Sequence, residues 1–283
     1  MHIIKTTDTL FKRIQFFKNK QKILGLVPTM GNLHEGHIKL ILLAQKYVDI
    51  IIVSLFINPM QFNNELDFKK YPKTFYKDCE ILKKLKIDIL FAPKISEMYP
   101  NGAKMNTYIQ VPKLSEIIEG KSRPGHFTGV TTIVGKLFNL IQPNFSFFGE
   151  KDYQQLLIIK TFVKELNYSV KIISLPTVRL KNGLAFSSRN RNLKNQELQK
   201  APFLYQVIKQ TINKIIQNNG KNLHKIINFS KISLIKKGFL IDIFDVYNAK
   251  TLDNFSKEQK KNILLASVWL GKTRLIDNKK FIL

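Results

Sequence analysis

Hydrophobic and polar positions divide this chain into two regimes. Up to residue 175, short apolar runs alternate with stretches whose apolar positions recur at helical spacing. Residues 6–18 place Leu10, Phe11, Ile14 and Phe17 on one side of a predicted helix. The run 23–27 predicts a strand and 38–44 a helix. Residues 50–57 are a run apolar but for Ser54 and rich in β-branched side chains, the sign of a strand buried on both faces. A helix over 71–86, with Pro72 in its first turn, a strand at 87–92, a helix over 128–141, a strand at 145–148, a helix ending near 166 and a strand at 170–175 complete the series. Strand and helix in alternation predict a doubly wound α/β domain with a parallel sheet. Ligands are then expected outside the carboxyl ends of the strands. Pro176 marks the expected boundary. Beyond it, helices over 195–218 and 223–237 and strands at 241–247 and 263–270 predict a smaller α+β domain. The expected division is 1–175 and 176–283, with no internal repeat.

The chemistry collects where predicted strands end. Pro28-Thr29-Met30-Gly31-Asn32-Leu33-His34-Glu35-Gly36-His37 joins the first strand of this alternation to its helix. With Gly36 and His37 opening that helix, both imidazoles lie at its N-terminus, where unpaired N–H groups and the helix dipole favour an anion. This points to phosphate handling, with the histidines stabilising charge on a departing polyphosphate. A metal pair and an ordinary helix cap are the alternatives. A metal site needs more ligands than His2, His126, His224 and the lone Cys79 readily supply. The loop Asn58-Pro59-Met60-Gln61-Phe62 ends the next strand, and a polar loop with two glycines spans 120–127. At Phe148-Gly149-Glu150-Lys151-Asp152-Tyr153-Gln154-Gln155 the design of strand, glycine, polar cluster and helix repeats. Lys151 offers a point charge for phosphate and Asp152 a helix cap. Ser187, Ser188 and Arg189 put two hydroxyls and a guanidinium in one loop, a set that suits phosphate oxygens or a plain exposed turn. Gly129 and Gly135-Lys136 imitate a P-loop, but the spacing is one residue too long and Leu137 stands where Ser or Thr is needed. No Gly-x-Gly-x-x-Gly follows a strand, so a dinucleotide site is unsupported.

Composition alters this picture only slightly. The 283 residues, 44% hydrophobic, suffice for two packed domains. One cysteine excludes an internal disulfide and fits a reducing compartment. The first twenty residues lack the apolar centre of a signal peptide, and no apolar run is long enough to cross a bilayer. A cytoplasmic protein with no membrane partner is expected. Forty-six Lys and Arg against twenty Asp and Glu give a formal charge of +26. The lysines are scattered along the whole length, not gathered in one arm, so no specific nucleic-acid partner is expected. Weak electrostatic sticking would be screened beyond ~8–10 Å in physiological salt. The Asn-x-Ser matches at Asn144, Asn167, Asn228 and Asn254 belong to the same Lys/Asn/Ile-rich background.

Five blocks in order carry a resemblance: residues 27–37, 58–62, 122–127, 148–155 and 187–190. His34-x-Gly36-His37 alone marks a wide superfamily of nucleotidyl-transferring enzymes. All five together resemble the pantoate–β-alanine ligases, nearly end to end. Phe186 stands where that family has leucine, and Arg191-Asn192 where it often has Gly-Tyr. The resemblance implies a Rossmann-like N-terminal domain of nucleotidylyltransferase type that binds ATP and pantoate, a C-terminal lid domain and a homodimer. It implies condensation of (R)-pantoate with β-alanine through a pantoyl-adenylate, releasing AMP and diphosphate. Magnesium arrives with the ATP phosphates, and no separate metal ligands are expected.

Carried onto this chain, the resemblance assigns catalysis to His34, His37 and Lys151. It assigns ATP to Met30, Gly31, Asn32, Leu33, His34, Glu35, Gly36 and His37, to Gly149, Glu150, Lys151 and Asp152, and to Val178, Phe186, Ser187, Ser188 and Arg189. Gln61 is expected to meet pantoate and β-alanine and Gln155 pantoate, with Asn58 supporting that wall. An adenylyltransferase that joins AMP to a phosphate ester is the rival among enzymes. A basic nucleic-acid-binding protein is the rival outside them.

Overall fold

The computed structural model describes residues 1–103 and 105–283. Two compact units form: Met1–Glu150 with Gln155–Pro176, and Lys151–Gln154 with Thr177–Leu283. The single cut expected at Pro176 would have left Lys151–Gln154 in the first part.

In the first unit the chain runs β1 (His2–Ile4), α1 (Thr7–Asn19), β2 (Leu24–Thr29), α2 (Glu35–Ala44) and β3 (Ile50–Leu55). It continues through α3 (Glu65–Lys70), α4 (Phe75–Lys84), β4 (Ile89–Phe91), α5 (Ile95–Met98), α6 (Glu119–Ser122), α7 (His126–Ile141), β5 (Phe145–Gly149), α8 (Tyr153–Glu165) and β6 (Lys171–Leu175). Six parallel strands stand in the order β1-β4-β3-β2-β5-β6. Alternate residues of β2, β3 and β4 feed opposite layers. Leu26, Ile52 and Ile89 pack with α1, α7 and α8, whereas Val27, Val53 and Leu90 pack with α2 and α4. Burial on both faces is why these strands read as near-continuous apolar runs. Strand order reverses at β2: β3, β4 and β1 lie on one side, β5 and β6 on the other. The switch point therefore lies at the carboxyl ends of β2 and β5, where a doubly wound sheet opens its crevice.

Several boundaries move for local reasons. The helix expected from residue 71 begins at Phe75, because Tyr71 precedes Pro72 and is held extended at ψ 132°. Gly129 and Gly135, the false P-loop pair, sit inside α7. A Cβ on Gly135 would meet the tip of the Ile109 side chain, which would have to turn aside.

The second unit contains α9 (Asn195–Lys200), α10 (Phe203–Gln217), α11 (Leu223–Lys236), β7 (Phe239–Asn248), β8 (Lys261–Leu270) and β9 (Thr273–Ile282). Its sheet is an antiparallel β7-β8-β9 meander. Leu204, Ile208 and Ile212 of α10 and Leu234 of α11 bury against Phe244, Leu264, Val268 and Leu275. The single helix expected over 195–218 is two, parted at Pro202, which lacks the N–H a continuing helix needs.

Candidate active site

The loop after β2 is built from below. Thr29 Oγ1 donates to the Ser54 carbonyl at 2.8 Å and accepts from Gly31 N at 3.2 Å. Gly31 and Asn32 turn through φ +80° and +52°, conformations open to glycine and tolerated by asparagine. Asp78, reaching up from α4 and 2% exposed, accepts Asn32 N and Leu33 N, each at 2.9 Å. Thr74 Oγ1 donates to the same carboxylate at 2.9 Å.

So braced, the loop delivers two histidines to the start of α2. The helix opens one residue earlier than the sequence implied, with His34 itself as N-cap. His34 Nδ1 accepts from Gly36 N at 3.1 Å, and His37 Nδ1 accepts from His34 N at 3.3 Å. The two rings close a reciprocal cap, their centroids 4.1 Å apart. An accepting Nδ1 puts the proton of a neutral imidazole on Nε2. Each ring thus carries an Nε2–H donor at a helix N-terminus, where developing negative charge is favoured.

The second strand end is equally determined. A 3-10 turn at Pro59–Gln61 follows Asn58, whose side chain is fully buried. Asn58 Oδ1 accepts from Tyr99 Oη at 2.9 Å and Met60 N at 3.3 Å, and its Nδ2 donates to the Gly129 carbonyl at 2.9 Å. Its amide is thus spent on protein partners, the posture of a support beneath a wall. Burial pushes the Tyr99 phenol well above its ordinary range, an effect that the bond to Asn58 only tempers, so it remains a donor. The Gln61 carbonyl accepts from His126 Nδ1 at 2.8 Å and from Arg123 Nη2 at 3.4 Å. Gln61 itself is buried. At β5, Gly149 leaves open space where a Cβ would stand, and Glu150 accepts from Ser174 Oγ at 3.1 Å. Gln155 lies half-buried in the first turn of α8.

The remaining candidates belong to the second unit. Lys151 Nζ lies 3.5 Å from Asp152 Oδ2. Val178 accepts from Phe186 N at 2.9 Å across a tight turn. Ser187 caps a 3-10 turn that carries Ser188 and the exposed Arg189, its Oγ accepting from Arg189 N at 3.2 Å. Arg179 forks onto Asp277 at 2.6 and 2.7 Å. Burial raises the Asp277 carboxyl, against the pull of those guanidinium bonds. Among the described residues, no group of three or more His, Cys, Asp or Glu side chains is placed to hold a metal ion, and no helix is long and apolar enough to cross a membrane.

Sequence reasoning named the histidines, the glutamines and Lys151 but missed the parts that hold them. The sequence assigns no role to Asp78, Thr74, Asp277 or Asn278, reads Tyr99 only as part of a turn, and names Arg179 and His126 without a role in the site. Asp78 had one signal: a carboxylate on the apolar face of α4, beside Cys79 and Leu82.

Comparison with known proteins agrees along the full length. A family model described as Pantoate-beta-alanine ligase matches residues 2–280. A pantothenate synthetase of Buchnera aphidicola subsp. Schizaphis graminum is 70% identical over 283 residues, covering 100% of this chain and 99% of that one. Another, of Buchnera aphidicola subsp. Acyrthosiphon pisum (strain 5A), is 67% identical over the same shares. Among solved structures, a pantothenate synthetase of Thermus thermophilus superposes with TM-score 0.90 at 35% identity, covering 99% of each chain. A Francisella tularensis pantoate-beta-alanine ligase, complexed with beta-gamma ATP and beta-alanine, gives TM-score 0.79 at 36% identity, covering 99% of this chain and 97% of that one.

Proposed function

The chain belongs to the pantoate-beta-alanine ligase family, and from that premise we propose how its own residues make the amide bond. A carboxylate and an amine in water form a salt. The pantoate carboxylate must first acquire a leaving group. In the proposed sequence it attacks the α-phosphorus of ATP, brought in with Mg²⁺ on its phosphates, and diphosphate departs. The β-alanine amine then attacks the carbonyl of the pantoyl-adenylate and AMP leaves. The protein's part is positioning and charge stabilisation.

His34 and His37 direct their Nε2–H donors at phosphate oxygens as charge builds on the departing diphosphate. Lys151, Ser187, Ser188 and Arg189 offset the triphosphate charge. Backbone at Met30, Gly149 and Val178 holds the nucleotide. Gln61 and Gln155 hydrogen-bond pantoate, Gln61 also meets β-alanine, and Asn58 fixes the turn that carries Gln61. The C-terminal domain is assigned the role of a lid that shields the acyl-adenylate from water. A homodimer working in the cytoplasm completes the proposal, and sedimentation of the purified protein tests the dimer.

The observation that carries this reading is the reciprocal imidazole cap at the carboxyl end of β2, beside the switch point. The test is incubation with ATP, magnesium, pantoate and β-alanine, assaying AMP and pantothenate, with each acid omitted in turn. Without β-alanine, diphosphate release should stop at about one equivalent per site. Removing one preorganised donor is typically worth ~2.7–4 kcal/mol, so His37→Ala should lower kcat by about 10²–10³ with the fold intact. Near-normal rates in both His37→Ala and Lys151→Ala would overturn the assignment.

A further inference from the structure

The lysine assigned to the phosphates is anchored to an unexpected element. Lys151–Gln154 leaves β5 yet forms one compact unit with residues 177–283. The contacts are specific. Asn278 Nδ2, on β9 and only 7% exposed, donates to the Lys151 carbonyl at 2.9 Å. Two residues on, Tyr153 Oη donates to the Ala249 carbonyl at 2.6 Å, and Lys280 Nζ stands 6.0 Å from the Tyr153 ring centre.

Asn278 is itself braced. Its N–H donates to Asp277 Oδ1 at 2.7 Å, and its carbonyl accepts from Arg179 Nη2 at 3.4 Å. Arg179 forks onto Asp277 and lies 3.4 Å over the Tyr205 ring. Alternation along β9 sends Asp277 and Asn278 to opposite faces of the sheet. One face locks the strand through a bidentate ion pair, and the other presents an amide donor to the lysine's backbone.

We infer that Asn278 is a positioning residue for Lys151: through the lysine's carbonyl, β9 sets where the ammonium group stands during adenylation. The inference rests on the phosphate role given to Lys151 above. An asparagine suits the task because its Nδ2 donates to a carbonyl, which the equally sized aspartate does not do when ionised.

The experiment is a double-mutant cycle on the full-length protein, following steady-state diphosphate release with ATP, magnesium, pantoate and β-alanine, with thermal midpoints measured alongside. Asn278→Ala should lower kcat by about tenfold, the scale of one lost alignment bond, with the pantoate KM nearly unchanged. Asn278→Asp, which preserves shape, should lose at least as much. In a Lys151→Ala background, removing Asn278 should change the rate by less than about twofold, whereas independent sites would multiply. An undiminished kcat in Asn278→Asp, or equal losses in both backgrounds, would overturn the inference while leaving Lys151 its role. A normal rate in Lys151→Ala alone would overturn that role, and this inference with it.

Discussion

Asp78 shows how much of the site rests on a residue that touches no substrate in the proposed mechanism. Its two oxygens take three donors and fix Gly31 to Leu33, the span that aims the histidines. Asp78→Ala would leave the buried Asn32 and Leu33 N–H groups without that acceptor, at about 1–3 kcal/mol for each group left unpaired. A lowered thermal midpoint should accompany a fall in kcat, and Asp78→Asn, which keeps one acceptor oxygen, should fall between. Calorimetry with the diphosphate assay checks both, and a normal kcat in Asp78→Ala would show that the loop holds its shape unaided. The histidines were legible in the sequence because their spacing is local. Asp78 acts across 45 and 46 positions of sequence, a separation that periodicity does not report.

Between elements, α7 comes close to the turn at Pro59–Gln61. A Cβ on Gly129 would collide with the Met60 carbonyl and stand 2.9 Å from Gln61 N. Gly129→Ala should therefore displace the turn and raise the pantoate KM by about tenfold or more, since repacking around an added methyl typically costs ~1–3 kcal/mol. An unchanged KM would mean that Gln61 does not grip pantoate. At the start of α1, Glu97 Oε1 accepts from both Thr7 N and Thr7 Oγ1 at 2.6 Å, and these bonds hold its carboxyl below the usual range. A depressed carboxyl stabilises the fold above its unfolded pKa, about 4.3, and that contribution is lost as pH falls through the lower folded value. Glu97→Gln should melt below wild type at pH 7, and the gap should close in acid. The long central strands and amphipathic helices were readable because they obey one period each. β1 has only three residues, and β9 carries Arg274, Asp277, Lys279 and Lys280, which mask its alternation.

For the whole molecule, charge is the property that the fold does not explain. The two-part architecture followed from pattern alone. The membership of Lys151–Gln154 did not, because it depends on bonds from residues 249 and 278. The +26 charge is likewise spread along the entire chain. Like charges at such density repel over long distances, whereas ion pairs such as Lys22–Asp49 and Lys69–Glu65 are exposed and contribute little. Raising sodium chloride from about 10 to about 100 mM shortens the Debye length from about 30 to about 10 Å. Repulsion across the surface is then screened, and the loss from exposed pairs is small. The thermal midpoint should rise by a few degrees over this range. The KM for ATP should rise as well, because the same field draws a polyanion towards the protein. A falling midpoint would mean that local ion pairs, not the net charge, dominate the electrostatics of this fold. Binding to duplex DNA should follow the same screening and vanish by physiological salt. Tight binding that persists there would instead give the basic surface a partner of its own.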